Sequence, residues 1–181
     1  MLIENTGIKE VKIFNPTIHT DERGYFFESY KSNFNDNNSL PTNFIQDNEV
    51  WSKQGVLRGL HYQLNNAQGK IVRSVLGSII DVAVDIRLGS PTFGKFVMVE
   101  LSSSNKKMLY VPEGFAHGYL VTSNESIVLY KCTSLYDSND EYGIKWDDNE
   151  IGIDWNYSSP IVSEKDNELP TLNNQNFLPK Y

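Results

Sequence analysis

Cysteine is almost absent from this 181-residue chain, where Cys132 stands alone. No disulfide can close within the chain, and a reducing cytoplasm suits it. No apolar run approaches the roughly 20 residues that a bilayer-spanning helix needs. The opening MLIENTGIKE has neither the basic end nor the apolar centre of a secretory signal. Positive charge is in deficit, with 16 Lys and Arg against 23 Asp and Glu and a net charge of −7. That balance argues against a nucleic-acid partner while leaving room for a local cationic pocket that takes a phosphorylated ligand. Internal repeats and low-complexity arrays are also missing. The absences point to a cytoplasmic protein without a membrane or nucleic-acid partner.

Short β-prone runs are abundant. KIVRSVL, SIIDVAVDI, KFVMVEL, MLYVP, GYLVT and SIVLYKCT follow one another through the middle of the chain, separated by turn residues. In SIIDVAVDI, Ile80, Val82, Val84 and Ile86 occupy one parity and Asp81 and Asp85 the other, so the pattern predicts a strand that turns its aliphatic face to the core. Gly77-Ser78 separates two runs closely enough for a hairpin, and LGSP at 88–91 marks a second reversal. Many short strands with regular turns predict an all-β sandwich, barrel or jelly roll. With 39% apolar residues, the length suits one domain over 1–181 whose core spans about 44–135. The flanks differ: KSNFNDNNSLPTN at 31–43 is polar, a short helix is conceivable within 29–39, and the tail from about 157 has little periodicity.

Polar residues inside the strand-like runs mark a candidate site. Three histidines in a β-rich chain invite a metal reading, but His61 is followed by YQ, so the second histidine of an HxH pair is missing, and His19 lies far away. General acid–base chemistry is the alternative, and it needs a histidine oriented by a carboxylate and a donor facing it. His61 supplies the histidine, Asp81, Asp85 and Asp166 are possible orienting carboxylates, and Tyr130 in VLYKCT is a possible donor. Lys70, opening KIVRSVL, could set an ammonium against a developing oxyanion. By residue chemistry alone, Lys70 is solvated, Arg58 belongs to a structural ion pair, Tyr130 is a core residue and His117 is a buried, hydrogen-bonded histidine.

Five segments change those odds: DERGYFFES, QDNEVWSKQGVLRGLHYQ, AQGKIVRSVLGSIIDVAVDIRLGSPTFGKF, YVPEGFAHGYLV and YKCTSLYDSNDEYGIKWDDNEIGIDW. In order and spacing, over nearly the whole chain, they resemble the dTDP-4-dehydrorhamnose 3,5-epimerase family. The resemblance implies a cupin-type jelly roll, a homodimer, no metal and no cofactor, and a dTDP-sugar substrate on the route to dTDP-L-rhamnose. His61 then matches the proton-abstracting base, Asp166 its orienting carboxylate, Lys70 the lysine near the keto oxygen and Tyr130 the general acid. Arg23, Glu28, Gln46, Asn48, Arg58 and His117 match nucleotide-sugar contacts, Tyr136 an aromatic that stacks near the ligand, and Glu141 and Lys165 two further contacts. Leu135 precedes Tyr136 where many relatives have two tyrosines. For the dimer, the β-prone GIKEVKIF near the N-terminus is suited to pair with another chain's sheet edge.

Both α-protons of a 4-keto sugar are acidic enough for one base to address C3 and C5. Competing expectations are a monofunctional epimerase acting at C3 or C5 alone, a sugar-nucleotide 3,4-ketoisomerase, and a non-catalytic sugar-nucleotide-binding cupin. A regular strand would send Arg58 and His61, three residues apart, to opposite faces. A bulge or twist at Gly59 is therefore expected to bring them together.

Overall fold

A computed structural model of the chain describes residues 1–32, 40–41 and 43–181. Among the described residues there are thirteen strands: β1 (Leu2–Asn5), β2 (Lys12–Asn15), β3 (His19–Asp21), β4 (Gly24–Phe26), β5 (Gln46–Lys53), β6 (Leu57–Gln63), β7 (Lys70–Leu76), β8 (Ser78–Asp85), β9 (Phe96–Ser102), β10 (Met108–Val111), β11 (Phe115–Val121), β12 (Glu125–Cys132) and β13 (Glu141–Gly143). The one α-helix among the described residues is the single turn α1 (Glu164–Asn167). Residues 29–32 are not helical, and the rest of the helix considered there falls outside the described residues.

Two antiparallel sheets face each other, in the orders β1-β2-β10-β7-β12-β5 and β13-β6-β11-β8-β9. From β5 to β8 the chain changes sheet at every step, as it does again from β9 to β12. This alternation makes a jelly roll, and it corrects the hairpin expected at Gly77-Ser78. β7 and β8 belong to different sheets, so Gly77 turns a corner between them. Its φ is +72° and an added Cβ would lie 2.0 Å from the Glu125 carbonyl oxygen, so no side chain fits that corner. The reversal at LGSP is as expected, joining the antiparallel pair β8 and β9.

The alternation in β8 holds, but both of its faces are buried. Val82, Val84 and Ile86 pack with Leu57, Leu60, Ile144, Trp155 and Leu172 on one side of the five-stranded sheet, against the C-terminal segment. The opposite parity, Ile79 and Ala83, packs with Val72, Leu109 and Val128 of the facing sheet. Asp81 and Asp85 therefore share the parity that faces the other sheet, which corrects the expectation that only the aliphatic face turns inward. Their carboxylates survive there because each has a charged or hydrogen-bonding partner.

GIKEVKIF does not offer a free edge. β2 is paired on both sides, with β1 and β10 of its own chain. The segment that does stand out is the β3–β4 hairpin, a separate two-stranded ribbon whose residues are exposed throughout.

Candidate active site

β6 carries the first half of the site. Its register against β11 shifts by one residue, with His61 opposite His117 but Arg58 opposite Tyr119, so three steps on β6 match two on β11. The extra residue lies at Gly59-Leu60. It resets the parity of the strand, so that Leu57, Leu60 and Tyr62 share one apolar cluster while Arg58 and His61 line one cavity. Gly59 has φ +121°, and an added Cβ would lie 2.6 Å from the Gly118 Cα. The irregularity expected at Gly59 is present, and the close approach of two backbones there leaves no room for a side chain.

The second half comes from far along the chain. Leu57 N–H donates to the Ile161 carbonyl at 3.0 Å, which ties the C-terminal segment alongside β6. Two residues later Ser163 caps α1, its hydroxyl accepting the Asp166 N–H at 3.1 Å. That turn holds the buried Asp166 against His61, with His61 Nε2 2.7 Å from Asp166 Oδ1. The Gly59 N–H donates to Asp166 Oδ2 at 3.2 Å. Burial works against the Asp166 carboxylate, but the bonds from His61, Gly59 and Ser163 outweigh it and hold its pKa below the usual range. An ionised carboxylate only accepts, so His61 Nε2 is the donor in this pair, and Nδ1 is the nitrogen left over for chemistry on the neutral imidazole.

Each aspartate considered for His61 has its own partner. Asp166 takes His61, Asp81 takes His117 with Oδ1 2.7 Å from Nε2, and Asp85 takes Arg87. His117 is thus both a cavity-lining residue and a buried, hydrogen-bonded histidine.

The cavity has a volume of about 490 Å³, and His61, Lys70, Arg58, His117 and Tyr130 line it, with Asp166 at its wall. Lys70 is 9% exposed, yet its Nζ makes no hydrogen bond among the described residues; it lies 6.0 Å from the centre of the Tyr130 ring. Burial pushes its pKa down, and Cys132, Asp81 and Glu141 only partly restore it. Holding an ammonium this way costs several kcal/mol of folding stability, so Lys70 is not the solvated strand-end lysine that its residue type suggests. Burial likewise raises the Tyr130 phenol, against the lowering effect of Arg58. Arg58 donates through Nε to Ser52 Oγ at 3.2 Å and has no ion-pair partner of its own among the described residues.

An adjoining cleft shares His61, Lys70 and Tyr130 and adds Gln46, Asn48 and Tyr136. Gln46 and Asn48 alternate on β5 with the exposed Asp47 and Glu49, and their side chains are bonded to each other at 3.0 Å. At the rim, the Tyr136 hydroxyl donates to Glu141 Oε2 at 2.9 Å, and the Lys165 ammonium binds the same oxygen. The structure does not bring Arg23 and Glu28 to this cavity. Arg23 sits on the exposed β3–β4 hairpin, paired with Asp21, and Glu28 is paired with Lys31. Sequence reasoning missed Ser163, Ser52 and Gln63. Ser163 had a signal, because a serine three residues before an acidic residue marks a helix start.

The sequence profile described as dTDP-4-dehydrorhamnose 3,5-epimerase matches residues 5–174. The dTDP-4-dehydrorhamnose 3,5-epimerase of Shigella flexneri is 48% identical over 180 residues, covering 98% of this chain and 97% of its own. The chain belongs to the dTDP-4-dehydrorhamnose 3,5-epimerase family. Among solved structures, the dTDP-6-deoxy-D-glucose-3,5-epimerase of Legionella pneumophila in complex with dTDP-4-keto-L-rhamnose superposes with a TM-score of 0.96 at 44% identity, over 99% of this chain and 98% of that one. A 3'-monoepimerase from Streptomyces bikiniensis in complex with dTDP-quinovose superposes with a TM-score of 0.91 at 30% identity, over 98% of this chain and 92% of that one. The epimerase family is an isomerase family of cupin jelly rolls, and the alternating sheets described above are its architecture.

Proposed function

We propose that this chain epimerises dTDP-4-dehydro-6-deoxy-D-glucose at C3 and C5, giving dTDP-4-dehydro-L-rhamnose for dTDP-L-rhamnose synthesis. The observation that carries the reading is one cavity lined by the His61–Asp166 pair, the buried Lys70 and Tyr130. His61 Nδ1 takes the proton from the carbon next to the keto group. The electron pair moves into the C4 carbonyl, and Lys70 stabilises the oxyanion that forms. Asp166 holds the histidine tautomer and stabilises the imidazolium. Tyr130 returns a proton from the opposite face, which inverts the centre; once His61 has released its proton to solvent and Tyr130 has regained one, the second α-carbon follows by the same steps. Arg58, His117, Gln46, Asn48, Tyr136, Glu141 and Lys165 hold the nucleotide-sugar, with Arg58 against phosphate.

The likeness to the Streptomyces bikiniensis 3'-monoepimerase keeps a second reading in view, inversion at a single carbon. Placement of the ring between base and acid decides between the two readings. Incubation with dTDP-4-dehydro-6-deoxy-D-glucose in deuterated water tests both, read by NMR at the two α-carbons. Deuterium and inversion at C3 and C5 are expected. Inversion at one carbon alone supports the monofunctional reading, and exchange at neither sinks the epimerase reading in favour of a binding module.

The active form in this reading is a cytoplasmic homodimer that works as one domain per chain. The exposed hairpin, with Tyr25 59% and Phe26 66% exposed, is the element this reading assigns to contact with a second copy. Carried there, Arg23 and Glu28 join that copy's nucleotide-sugar contacts.

A further inference from the structure

Gln63 stands two residues beyond His61 on β6, where a metal-binding HxH pair would have its second imidazole, and the proposed chemistry gives it no task. It is 4% exposed, and its amide is used at both ends. Nε2 donates to the Asn66 carbonyl at 2.7 Å and the Leu135 carbonyl at 3.1 Å, while Oε1 accepts the Asp137 N–H at 2.9 Å. Only one orientation of the amide satisfies two carbonyls and one N–H, so the chemistry of the partners fixes it. An imidazole could not donate twice from one atom and accept at its neighbour.

The residue between those partners is Tyr136. Its own N–H donates to Gln46 Oε1 at 2.8 Å, so two glutamines hold three successive residues by their backbone. Apolar burial does not pin this segment, because Leu135 is 62% and Tyr136 53% exposed. Further along the same loop, Asp140 accepts the Asn65 N–H at 2.9 Å and the Asn66 N–H at 2.7 Å, binding the 64–66 turn to it.

We infer that Gln63 is a positioning residue: it locks residues 135–137 so that Tyr136 stands at the rim of the cavity, and through Tyr136 it sets how tightly the nucleotide-sugar is held. The inference rests on the proposed reaction for its substrate. Gln63→Glu keeps the shape but turns an acceptor toward two carbonyls, and Gln63→Met removes the polar groups altogether. Each variant is measured in the natural chain and in a Tyr136→Ala background, for KM, for kcat, and for binding of dTDP by calorimetry. In the natural chain, KM and the dTDP dissociation constant should rise about tenfold, the order of one buried hydrogen bond, with kcat within about twofold. In the Tyr136→Ala background the same substitution should change neither by more than about twofold, because the residue it positions is gone. An equal rise in both backgrounds overturns the inference, as does a fall in kcat without a change in KM. If the unsubstituted chain binds dTDP without epimerising, the reaction is wrong and the dTDP cycle still decides on Gln63. If it does neither, both fall.

Discussion

At the scale of single residues, the site separates two jobs that a histidine alone performs poorly. In the proposed reaction Asp166 fixes which nitrogen of His61 carries the proton, and His61 is left with one lone pair for abstraction. His61→Ala and Asp166→Asn should each lower kcat by about 10³-fold or more while leaving the fold intact, and the double variant should be scarcely slower than His61→Ala alone. Steady-state kinetics with a thermal unfolding control checks this, and additive losses would show that the two act separately. Tyr130 offers a sharper test. Abstraction and same-face return need only the base, whereas inversion needs a donor on the far side. Tyr130→Phe should therefore lower epimer formation by about 10²-fold or more relative to deuterium wash-in, the order of a general acid's contribution. Equal loss of both, read in one sample, would make the phenol a binding or enolate-stabilising group.

At the scale of elements, the turn between β8 and β9 shows how a buried charge stabilises a reversal. Asp85 is fully buried and accepts from Arg87 Nη2 at 2.7 Å, Ser90 Oγ at 2.5 Å and Thr92 Oγ1 at 2.6 Å. Burial opposes the carboxylate, but these bonds outweigh it and hold its pKa at about 2. A carboxyl depressed on folding stabilises the native state above its unfolded pKa and loses that contribution as pH falls through the folded value. Asp85 should thus contribute about 2 kcal/mol near neutral pH. Chemical denaturation of the natural chain and Asp85→Asn should show a gap of that order or larger at about pH 7, narrowing as pH falls toward about 3. A gap independent of pH would assign the loss to packing.

At the scale of the whole molecule, the two sheets close around their core while the β3–β4 hairpin lies outside it with exposed aromatic residues. Within its own chain the ribbon is held by Lys106, whose Nζ donates to the Tyr25 hydroxyl at 2.9 Å, and a second copy of the protein is the partner proposed for its exposed face. Sedimentation at micromolar concentration should show a dimer. Substituting Tyr25 and Phe26 together with serine should shift it toward monomer and raise KM, while a monomeric natural chain with full activity would contradict the proposed assembly.

The strand content was legible without coordinates, because period-two alternation is a local property of extended backbone, but the core also draws on Ile8, Val11 and Ile13 before the window read from that pattern and on Ile144, Ile151, Trp155 and Leu172 after it. The eight strands β5 to β12 run from Gln46 to Cys132, inside the window read from the pattern. The motif residues of the site were legible as residue types, and RGLHYQ with its glycine even told where the strand would break its parity. Their partnerships were not. By residue chemistry three aspartates were open to His61, and only the family resemblance singled out Asp166, which lies 105 residues away and is brought there by a C-terminal segment with no periodicity to read. Gly77 looked like a hairpin because local sequence encodes a turn but not which sheet the next strand joins. Gln63 was visible only as a histidine that was missing, since its task depends on carbonyls and an N–H supplied by two loops. Which charge meets which, and which face of β8 looks at the other sheet, are set by register and crossover between distant strands, and only the tertiary structure decides them.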